Sequence, residues 1–269
     1  MALRDHAIWW PGLLTLPVLL GQAIHVRRTT QLLASAPSPH SGTCTPKNAS
    51  EERQLSMYLV GESTVAGVGA RSHTHGLSGQ LASRLSERLS RPVRWEALGL
   101  IGARARDCLD HQIQLELIPR MKQVPSHLIV VVVGVNDTTK LTPRPEWRKT
   151  VSEIVERCRR ETQCPILFAG VPPMGHFTAL PWPLRSVVGA RARLLDEDLH
   201  RVAASETNCH HHRVELELEP DYLASDGFHP SELGYALWGA QLAEQAASLV
   251  ASEEKTRRNV DREPHSPVL

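Results

Sequence analysis

Residues 128–137, LIVVVVGVND, are the most informative stretch of this chain. A continuous apolar run rich in valine predicts a strand that is covered on both faces, as the central strands of parallel sheets are. The Gly-Val-Asn-Asp that follows begins with glycine and turns polar, which is typical of a loop. The stretch therefore predicts a buried parallel sheet with a polar loop at the carboxyl end of a central strand.

Strands and helices alternate on both sides of this stretch. The other predicted strands cover residues 55–60, 93–98, 166–171 and, at an edge, 213–218. The predicted helices cover residues 76–90, 104–117, 146–161, 187–205 and the region from 231 onward, with apolar residues at helical spacing. This alternation predicts an α/β domain with a mostly parallel sheet of about five strands, and right-handed crossovers place helices on both faces.

Composition narrows the classes of function. The 269 residues suffice for one sizeable domain with extensions. Lys and Arg total 30 against 29 Asp and Glu, and aromatic residues make up 4%. Neither the charge nor the aromatic content gives a reason to expect nucleic acid as a partner. Five scattered cysteines without a CxxC pair argue against a disulfide framework, although Cys158 and Cys164 lie close enough in sequence for one bridge.

The two ends of the chain differ from its middle. Residues 7–24, AIWWPGLLTLPVLLGQAI, are uncharged, and two arginines follow them at 27 and 28. We expect a membrane anchor first, a signal peptide whose cleavage gives a secreted or periplasmic protein second, and a helix packed on the domain third. The predicted organisation is an N-terminal hydrophobic segment at 1–30, a Ser/Pro-rich linker at 31–53, a folded domain at 54–252 and a disordered polar tail at 253–269.

Four loops at the predicted carboxyl edge of the sheet carry hydrogen-bonding or reactive residues, and sites in open parallel sheets form at that edge. The loops contain Gly61-Glu62-Ser63, Gly102, Gly134-Val135-Asn136-Asp137 and Asp226-Gly227-Phe228-His229. A serine hydroxyl becomes a good nucleophile only when a neighbouring base takes its proton. Taken singly, each loop is explained as a helix cap, a turn or a surface histidine. Taken together, they favour one site.

These four blocks, in this order, resemble the SGNH (GDSL-type) family of serine esterases and lipases. The resemblance implies a flavodoxin-like three-layer α/β/α sandwich and a catalytic set of Ser63, Asp226 and His229. It also implies an oxyanion hole formed by Ser63, Gly102 and Asn136. Glu62 stands where the family usually has aspartate, so the geometry of the first loop is open to question.

The activity that this resemblance implies is hydrolysis of an acyl ester through an acyl-enzyme, without a cofactor. The substrate is a carboxylic ester, a lipid ester, a thioester or an acetylated sugar. One alternative is an acyltransferase that uses the same serine, and another is a non-catalytic binding module that keeps the fold. Product analysis with and without an acceptor alcohol separates the first alternative from hydrolysis.

Two further clusters are candidates for binding. Four residues in the loop after the 166–171 strand are candidates for an apolar acyl pocket, against the alternative that they cover the core: Met174, Phe177, Leu180 and Trp182. Three consecutive histidines, 210–212, would point to alternating faces of a strand and so could not all converge on one ion. We therefore predict no metal site.

Overall fold

One sheet forms the centre of the molecule. The structure is a computed structural model, and it describes residues 9–49, 53–214 and 220–260. The strands are β1 (Ser41–Cys44), β2 (Leu55–Gly61), β3 (Val93–Gly99), β4 (Leu128–Val132), β5 (Ile166–Ala169) and β6 (Cys209–His212). Their order is β1-β3-β2-β4-β5-β6, with β1 antiparallel to β3 and all other pairs parallel. The mostly parallel sheet is confirmed, with six strands among the described residues where about five were predicted.

Helices cover both faces of the sheet. They are α1 (Trp9–Thr29), α2 (Leu77–Leu89), α3 (Ala105–Asp107), α4 (Ile118–Gln123), α5 (Val135–Thr139), α6 (Arg144–Arg159), α7 (Leu184–Ser205) and α8 (Glu232–Val260). A π-helical segment, Cys108–Leu117, joins α3 to α4. One core cluster packs α2 and α8 on one face, and a second packs the π-helical segment, α6 and α7 on the other. The predicted three-layer α/β/α architecture is therefore confirmed.

The central strand explains why the fold forms around residues 128–132. Every residue of β4 is buried, and the strand pairs with β2 on one side and β5 on the other. Ile129 and Val131 belong to one core cluster, whereas Leu128 and Val130 belong to the other. Because successive strand residues face opposite sides, an uninterrupted apolar run is what two covered faces require.

Two glycines let the strand ends approach at the edge where the loops gather. Gly61 and Gly99 end β2 and β3 and are paired in register. A Cβ at Gly61 would collide with the Val132 carbonyl oxygen, and a Cβ at Gly99 would collide with the backbone of Ala66. These positions need glycine for lack of space, and the loop after β2 can then fold back over the sheet edge.

Three sequence predictions about element positions are wrong. Residues 41–44 lie in the predicted linker but form the edge strand β1, whose short Ser-Gly-Thr-Cys sequence carries no apolar pattern. Within the described residues a strand covers Cys209–His212, and residues 213 and 214 of the strand predicted at 213–218 are not part of it; residues 215–218 lie outside the described part of the chain. The tail predicted from 253 is helical through Val260, where α8 ends, and residues 261–269 are not described.

The N-terminal hydrophobic segment contacts the folded domain. Residues from Trp9 onward form α1, and Leu19 and Val26 pack against the core cluster that contains α7. This contact matches the packed-helix alternative; residues 7 and 8 lie outside the described chain. Within the described residues, none of the helices combines the length and apolarity needed to cross a membrane. All five cysteines are free, so Cys158 and Cys164 form no bridge.

Candidate active site

The loops that follow β2 and precede α8 meet at the carboxyl edge of the sheet. Ser63 comes two residues after the end of β2, and His229 lies three residues before α8 begins. The Nε2 atom of His229 is 2.8 Å from the Oγ atom of Ser63. This is hydrogen-bond distance, so the imidazole is placed to accept the serine proton without movement of either loop.

Asp226 holds the other side of the same imidazole. Its Oδ2 atom lies 2.6 Å from Nδ1 of His229. Its Oδ1 atom accepts hydrogen bonds from the backbone N–H groups of Phe228 at 2.9 Å and His229 at 3.0 Å. Gly227 has φ +65°, a conformation that favours glycine and closes this tight turn. A neutral ring that donates from Nδ1 to the carboxylate leaves Nε2 as the acceptor that faces Ser63.

The charge state of Asp226 suits this role. Burial by itself would raise the pKa of this carboxyl. The hydrogen bonds from the His229 ring and from the backbone N–H groups of His229 and Phe228 outweigh burial, and the pKa lies below its ordinary value. Asp226 is therefore a carboxylate at neutral pH, next to the ring that gains a proton when it acts as a base.

Glu62 organises the opposite side of Ser63. It is buried, and its carboxyl oxygens accept hydrogen bonds from the backbone N–H of Val135 at 2.9 Å and of Asn136 at 3.0 Å. The same carboxyl also accepts a hydrogen bond from the Asn136 side-chain amide. Glu62 thereby joins the loop after β2 to the first turn of α5. Burial raises the pKa of Glu62 to about 8, against the lowering effect of these hydrogen bonds.

Asp137 joins the loop after β3 to the same turn of α5. Its Oδ2 atom accepts from the backbone N–H of Ala105 at 2.8 Å, and its Oδ1 atom accepts from the Thr142 hydroxyl at 2.8 Å. Burial raises the pKa of this carboxyl. Lys140 adds a second link, because its Nζ atom donates to the Gly102 carbonyl oxygen at 2.5 Å. The loops that carry Ser63, Gly102 and Asn136 are thus connected through two buried acids.

Gly102 needs glycine because of its backbone angle rather than because of crowding. Its φ is +75°, and a Cβ built on it would meet no heavy atom within 4 Å. The space beside it is open, which leaves its backbone accessible to a substrate.

A small cavity opens beside Ser63. Its volume is about 40 Å³. Its walls include Ser63 and His229 together with apolar groups from four segments: Val132, Val135, Phe177, Leu223, Phe228 and Trp238. The rings of Phe177 and Phe228 pack edge to face with their centres 4.9 Å apart. The walls are mostly apolar, and the polar groups gather at the serine.

The structure separates the four residues proposed for an acyl pocket. Phe177 lines the cavity. Met174 and Leu180 are buried in the core cluster and do not line it, so the prediction is wrong for them. Trp182 also lies outside the cavity walls, and its side chain is 71% exposed. The loop after β5 folds back onto the core, where burying apolar side chains is favourable, which is the alternative that the sequence left open.

Sequence reasoning missed the role of Glu62 and several cavity walls. Thr64, Val135 and Phe228 line the cavity and lie within or next to the four recognised blocks. Their position beside those blocks was the available signal. No motif in the sequence lies next to Leu223 or Trp238. These residues reach the cavity because α8 and the segment before it pack there.

The three consecutive histidines lie on β6 and have separate partners. His211 contacts Asp196 at 2.7 Å, and His212 contacts Gln245 of α8 at 2.9 Å. The partners lie on α7 and α8, which pack on opposite faces of the sheet. The rings therefore alternate in direction as neighbouring strand residues do.

Comparison with known proteins gives one family and a shared fold. The GDSL-like lipase/acylhydrolase family matches residues 59–237. Among curated proteins the chain has no significant match.

Three solved structures illustrate the fold. The lipase Lip_vut3 from a goat rumen metagenome is 17% identical, with a TM-score of 0.55 over 72% of this chain and 98% of its own. A family 3 carbohydrate esterase from Clostridium thermocellum is 14% identical, with a TM-score of 0.57 over 74% of this chain and 98% of its own. A carbohydrate acetylesterase family member from Sinorhizobium meliloti is 18% identical, with a TM-score of 0.53 over 73% of this chain and 99% of its own. At these identities the likeness shows the fold.

Proposed function

Since this chain belongs to the GDSL-like lipase/acylhydrolase family, and so is an esterase-type hydrolase, we propose that it cleaves its ester through a covalent acyl-enzyme on Ser63. The observation that carries this proposal is the continuous hydrogen-bonded series from Asp226 through His229 to Ser63, with distances of 2.6 and 2.8 Å. A serine, a base that touches it and a group that orients the base are the requirements of nucleophilic acyl transfer.

The reaction proceeds in two halves. In the first, Ser63 Oγ attacks the acyl carbon while its proton moves to His229 Nε2. The tetrahedral intermediate then collapses, and the alcohol leaves with the proton from His229. In the second, a water molecule gives a proton to His229 as its oxygen attacks the acyl carbon, and the carboxylic acid leaves while Ser63 regains its proton. Asp226 stabilises the imidazolium that forms in each half.

Three donors serve the oxyanion in this proposal: the backbone N–H groups of Ser63 and Gly102 and the side-chain amide of Asn136. Gly102 and Asn136 do not line the cavity, and the assignment of Gly102 is supported by the hydrogen bonds that join its loop to Asp137 and Lys140 beside Asn136. An amide nitrogen carries two N–H groups, so the hydrogen bond from Asn136 to Glu62 leaves the second one for the substrate. Loss of one such donor costs about 3–4 kcal/mol of transition-state stabilisation in comparable enzymes.

The adjacent residue provides a matched control for the nucleophile. Thr64 also carries a hydroxyl and also lines the cavity, but within the described residues its buried Oγ1 atom has no hydrogen-bond partner. We expect Ser63→Ala to abolish hydrolysis of p-nitrophenyl acetate, whereas Thr64→Val should retain it within about tenfold because the base does not contact this residue. Retained activity in Ser63→Ala together with its loss in Thr64→Val would reverse the assignment.

The size of the cavity supports a short acyl group. A volume of about 40 Å³ accommodates only about three water molecules or a comparably small acyl chain, since one water needs about 10–15 Å³. Two of the solved structures with this fold are carbohydrate esterases, one of them described as an acetylesterase family member. We therefore propose acetyl and other short-chain esters as the substrate class.

Phe177 is the residue that limits acyl length in this proposal. Phe177→Leu retains an apolar side chain but withdraws the ring that packs on Phe228. We expect the kcat/KM ratio of butyrate over acetate p-nitrophenyl esters to rise about tenfold, because one methylene in an apolar pocket changes the ratio by about 10–200-fold. Leu180→Met changes a core residue of the same loop and should leave this ratio unchanged. An equal change of the ratio in both variants would refute the role of Phe177.

A further inference from the structure

An apolar stripe runs along the outer face of α1. Leu16, Leu20 and Ile24 lie four residues apart, so they share one face of the helix, and all three are exposed. Trp182, in the loop after β5, is also largely exposed. Together we call these four residues the N-terminal apolar surface. Large apolar side chains that are grouped and exposed mark interaction sites more often than solvated surface.

The opposite face of α1 fixes this surface to the domain. Leu19 and Val26 pack against the core, and Gln22 lies between them on the inner face. The Gln22 amide donates to the Trp182 carbonyl oxygen at 2.8 Å and accepts from the backbone N–H of Leu184 at 3.1 Å. Gln22 therefore holds the backbone beside Trp182 against the inner face of α1, so that the helix and this loop are fixed to each other.

The same surface is connected to the catalytic turn. The loop that carries Trp182 also donates from the Ala179 backbone N–H to the Gly227 carbonyl oxygen at 3.1 Å. Gly227 lies between Asp226 and His229. A partner that binds the N-terminal apolar surface is thus held close to the side of the cavity where Phe177 and His229 lie.

The charge around this surface is one-sided although the whole chain is nearly neutral. Residues 6–50 and 162–195 contain no Asp or Glu, whereas the chain as a whole has 29. Four arginines in these ranges are exposed: Arg27 and Arg28 in the last turn of α1, Arg185 three residues after Trp182, and Arg193 further along α7. Exposed apolar groups next to cations, without neighbouring carboxylates in these segments, are complementary to a lipid surface with anionic headgroups.

We propose that the N-terminal apolar surface binds flat on an anionic lipid bilayer, with Leu16, Leu20, Ile24 and Trp182 inserted at the headgroup boundary. Arg27, Arg28 and Arg185 contact lipid phosphates. The aromatic ring of Trp182 suits this boundary because tryptophan is enriched at membrane–water interfaces. Binding requires no ester hydrolysis, so it stands or falls separately from the catalytic proposal.

Vesicle sedimentation tests the proposal with the full-length chain. Vesicles of phosphatidylcholine alone and of equal parts phosphatidylcholine and phosphatidylglycerol are the two probes. We expect the wild type to sediment with the anionic vesicles and to be released by high salt. Leu20→Glu should weaken binding about tenfold or more, because a charged side chain replaces an apolar one that is buried at the headgroup boundary. Trp182→Ala should weaken it similarly.

A matched control separates this surface from general stickiness. Leu115 lies on the π-helical segment and is 64% exposed, against 60% for Leu20. Leu115→Glu should sediment as the wild type does, and Arg27→Glu with Arg28→Glu should lose the preference for phosphatidylglycerol. Wild type that fails to sediment, or Leu20→Glu and Leu115→Glu that behave alike, would overturn the proposal. A wild-type dimer that Leu20→Glu converts to a monomer without lipid would overturn it in favour of a second copy.

Discussion

Two buried carboxyl groups flank Ser63, and they are held in opposite ways. Asp226 contacts the His229 ring and two backbone N–H groups, and its pKa lies below the ordinary value. Glu62 also accepts three hydrogen bonds, but the nearby Asp137 disfavours a second negative charge. Burial dominates there and raises the pKa of Glu62 to about 8. The balance between burial and hydrogen bonding, rather than the number of hydrogen bonds, separates the two.

The difference in pKa indicates that Asp226 and Glu62 have different roles. In the proposed mechanism a proton moves to and from His229 in each half-reaction, so a fixed negative charge on Asp226 lowers the energy of the imidazolium. The Glu62 carboxyl holds Val135 and Asn136 in place, and for this purpose the direction of its hydrogen bonds matters more than its charge. We therefore treat Asp226 as part of the catalytic set and Glu62 as a positioning residue.

The largest effect should come from removal of the charge next to the imidazole. Asp226→Asn keeps the shape of the side chain but favours the wrong tautomer of His229, and we expect kcat to fall by about 10⁴-fold. Initial rates with p-nitrophenyl acetate measure this loss.

Asp198 is the control for that substitution. It is another buried aspartate, far from Ser63, and Arg144 holds its carboxylate at 2.7 and 2.8 Å. Asp198→Asn should lower stability while kcat per folded molecule stays within a few fold. Similar losses of kcat in both variants would mean that Asp226 acts through the fold alone.

A smaller effect should follow loss of the Glu62 carboxyl. Above about pH 8, where the wild-type carboxyl is ionised, the amide N–H group of Glu62→Gln faces an N–H donor of Val135 or Asn136 where the carboxylate accepts, so the asparagine should shift. We expect kcat to fall by about 10–100-fold with KM nearly unchanged, because the oxyanion forms only in the transition state. Glu62→Asp should recover part of the loss. A fall in kcat that Glu62→Asp does not relieve at all, or a rise in KM alone, would contradict a positioning role.

The smallest effects should appear in stability, with opposite signs for the two acids. Glu62 binds its proton more tightly in the folded chain, so its contribution favours folding less as pH rises from about 5 to 8. Relative to Glu62→Gln, the wild type should lose more than about 1.4 kcal/mol over this range, the value of one pKa unit. Asp226 binds its proton less tightly when folded, so its contribution is present above the ordinary aspartate pKa and is lost as pH falls through the lower folded value.

Urea unfolding of the wild type and both variants across about pH 2–9 measures these slopes. Parallel stability curves for the wild type and Glu62→Gln would show that the buried glutamate does not titrate in this range. A wild type that gains stability over Asp226→Asn as the pH falls below 4 would reverse the sign for Asp226.

The contrast between Asp226 and Glu62 also shows which features can be predicted from a sequence. The central strand and the four blocks were predictable because β4 is apolar throughout and because each block is a local pattern of a few residues. The hydrogen bonds between Glu62 and Asn136 were not predictable, because the two residues are 74 positions apart and only the folded chain brings them together. The edge strand β1 was not predicted for a similar reason. Its hydrogen bonds to β3 define it, and its own residues carry no apolar pattern.

The loop after β5 shows a second limit of prediction from the sequence. Its apolar residues Met174, Phe177 and Leu180 are alike in sequence, yet only Phe177 reaches the cavity while the other two fill the core. Both outcomes bury apolar surface, so hydrophobicity alone does not distinguish them. Only the packing of the folded loop, part of which contacts α7, distinguishes the residue that faces the cavity from the other two.

Phosphonylation of the serine tests most directly whether the His229 ring activates Ser63. A p-nitrophenyl phosphonate releases one nitrophenolate for each serine that it modifies, and peptide mass spectrometry locates the adduct. We predict one adduct per chain, on Ser63, formed about 10²–10⁴-fold more slowly in His229→Ala because general base catalysis contributes that factor. An adduct on Thr64, or equal rates of Ser63 modification in the wild type and His229→Ala, would contradict the account.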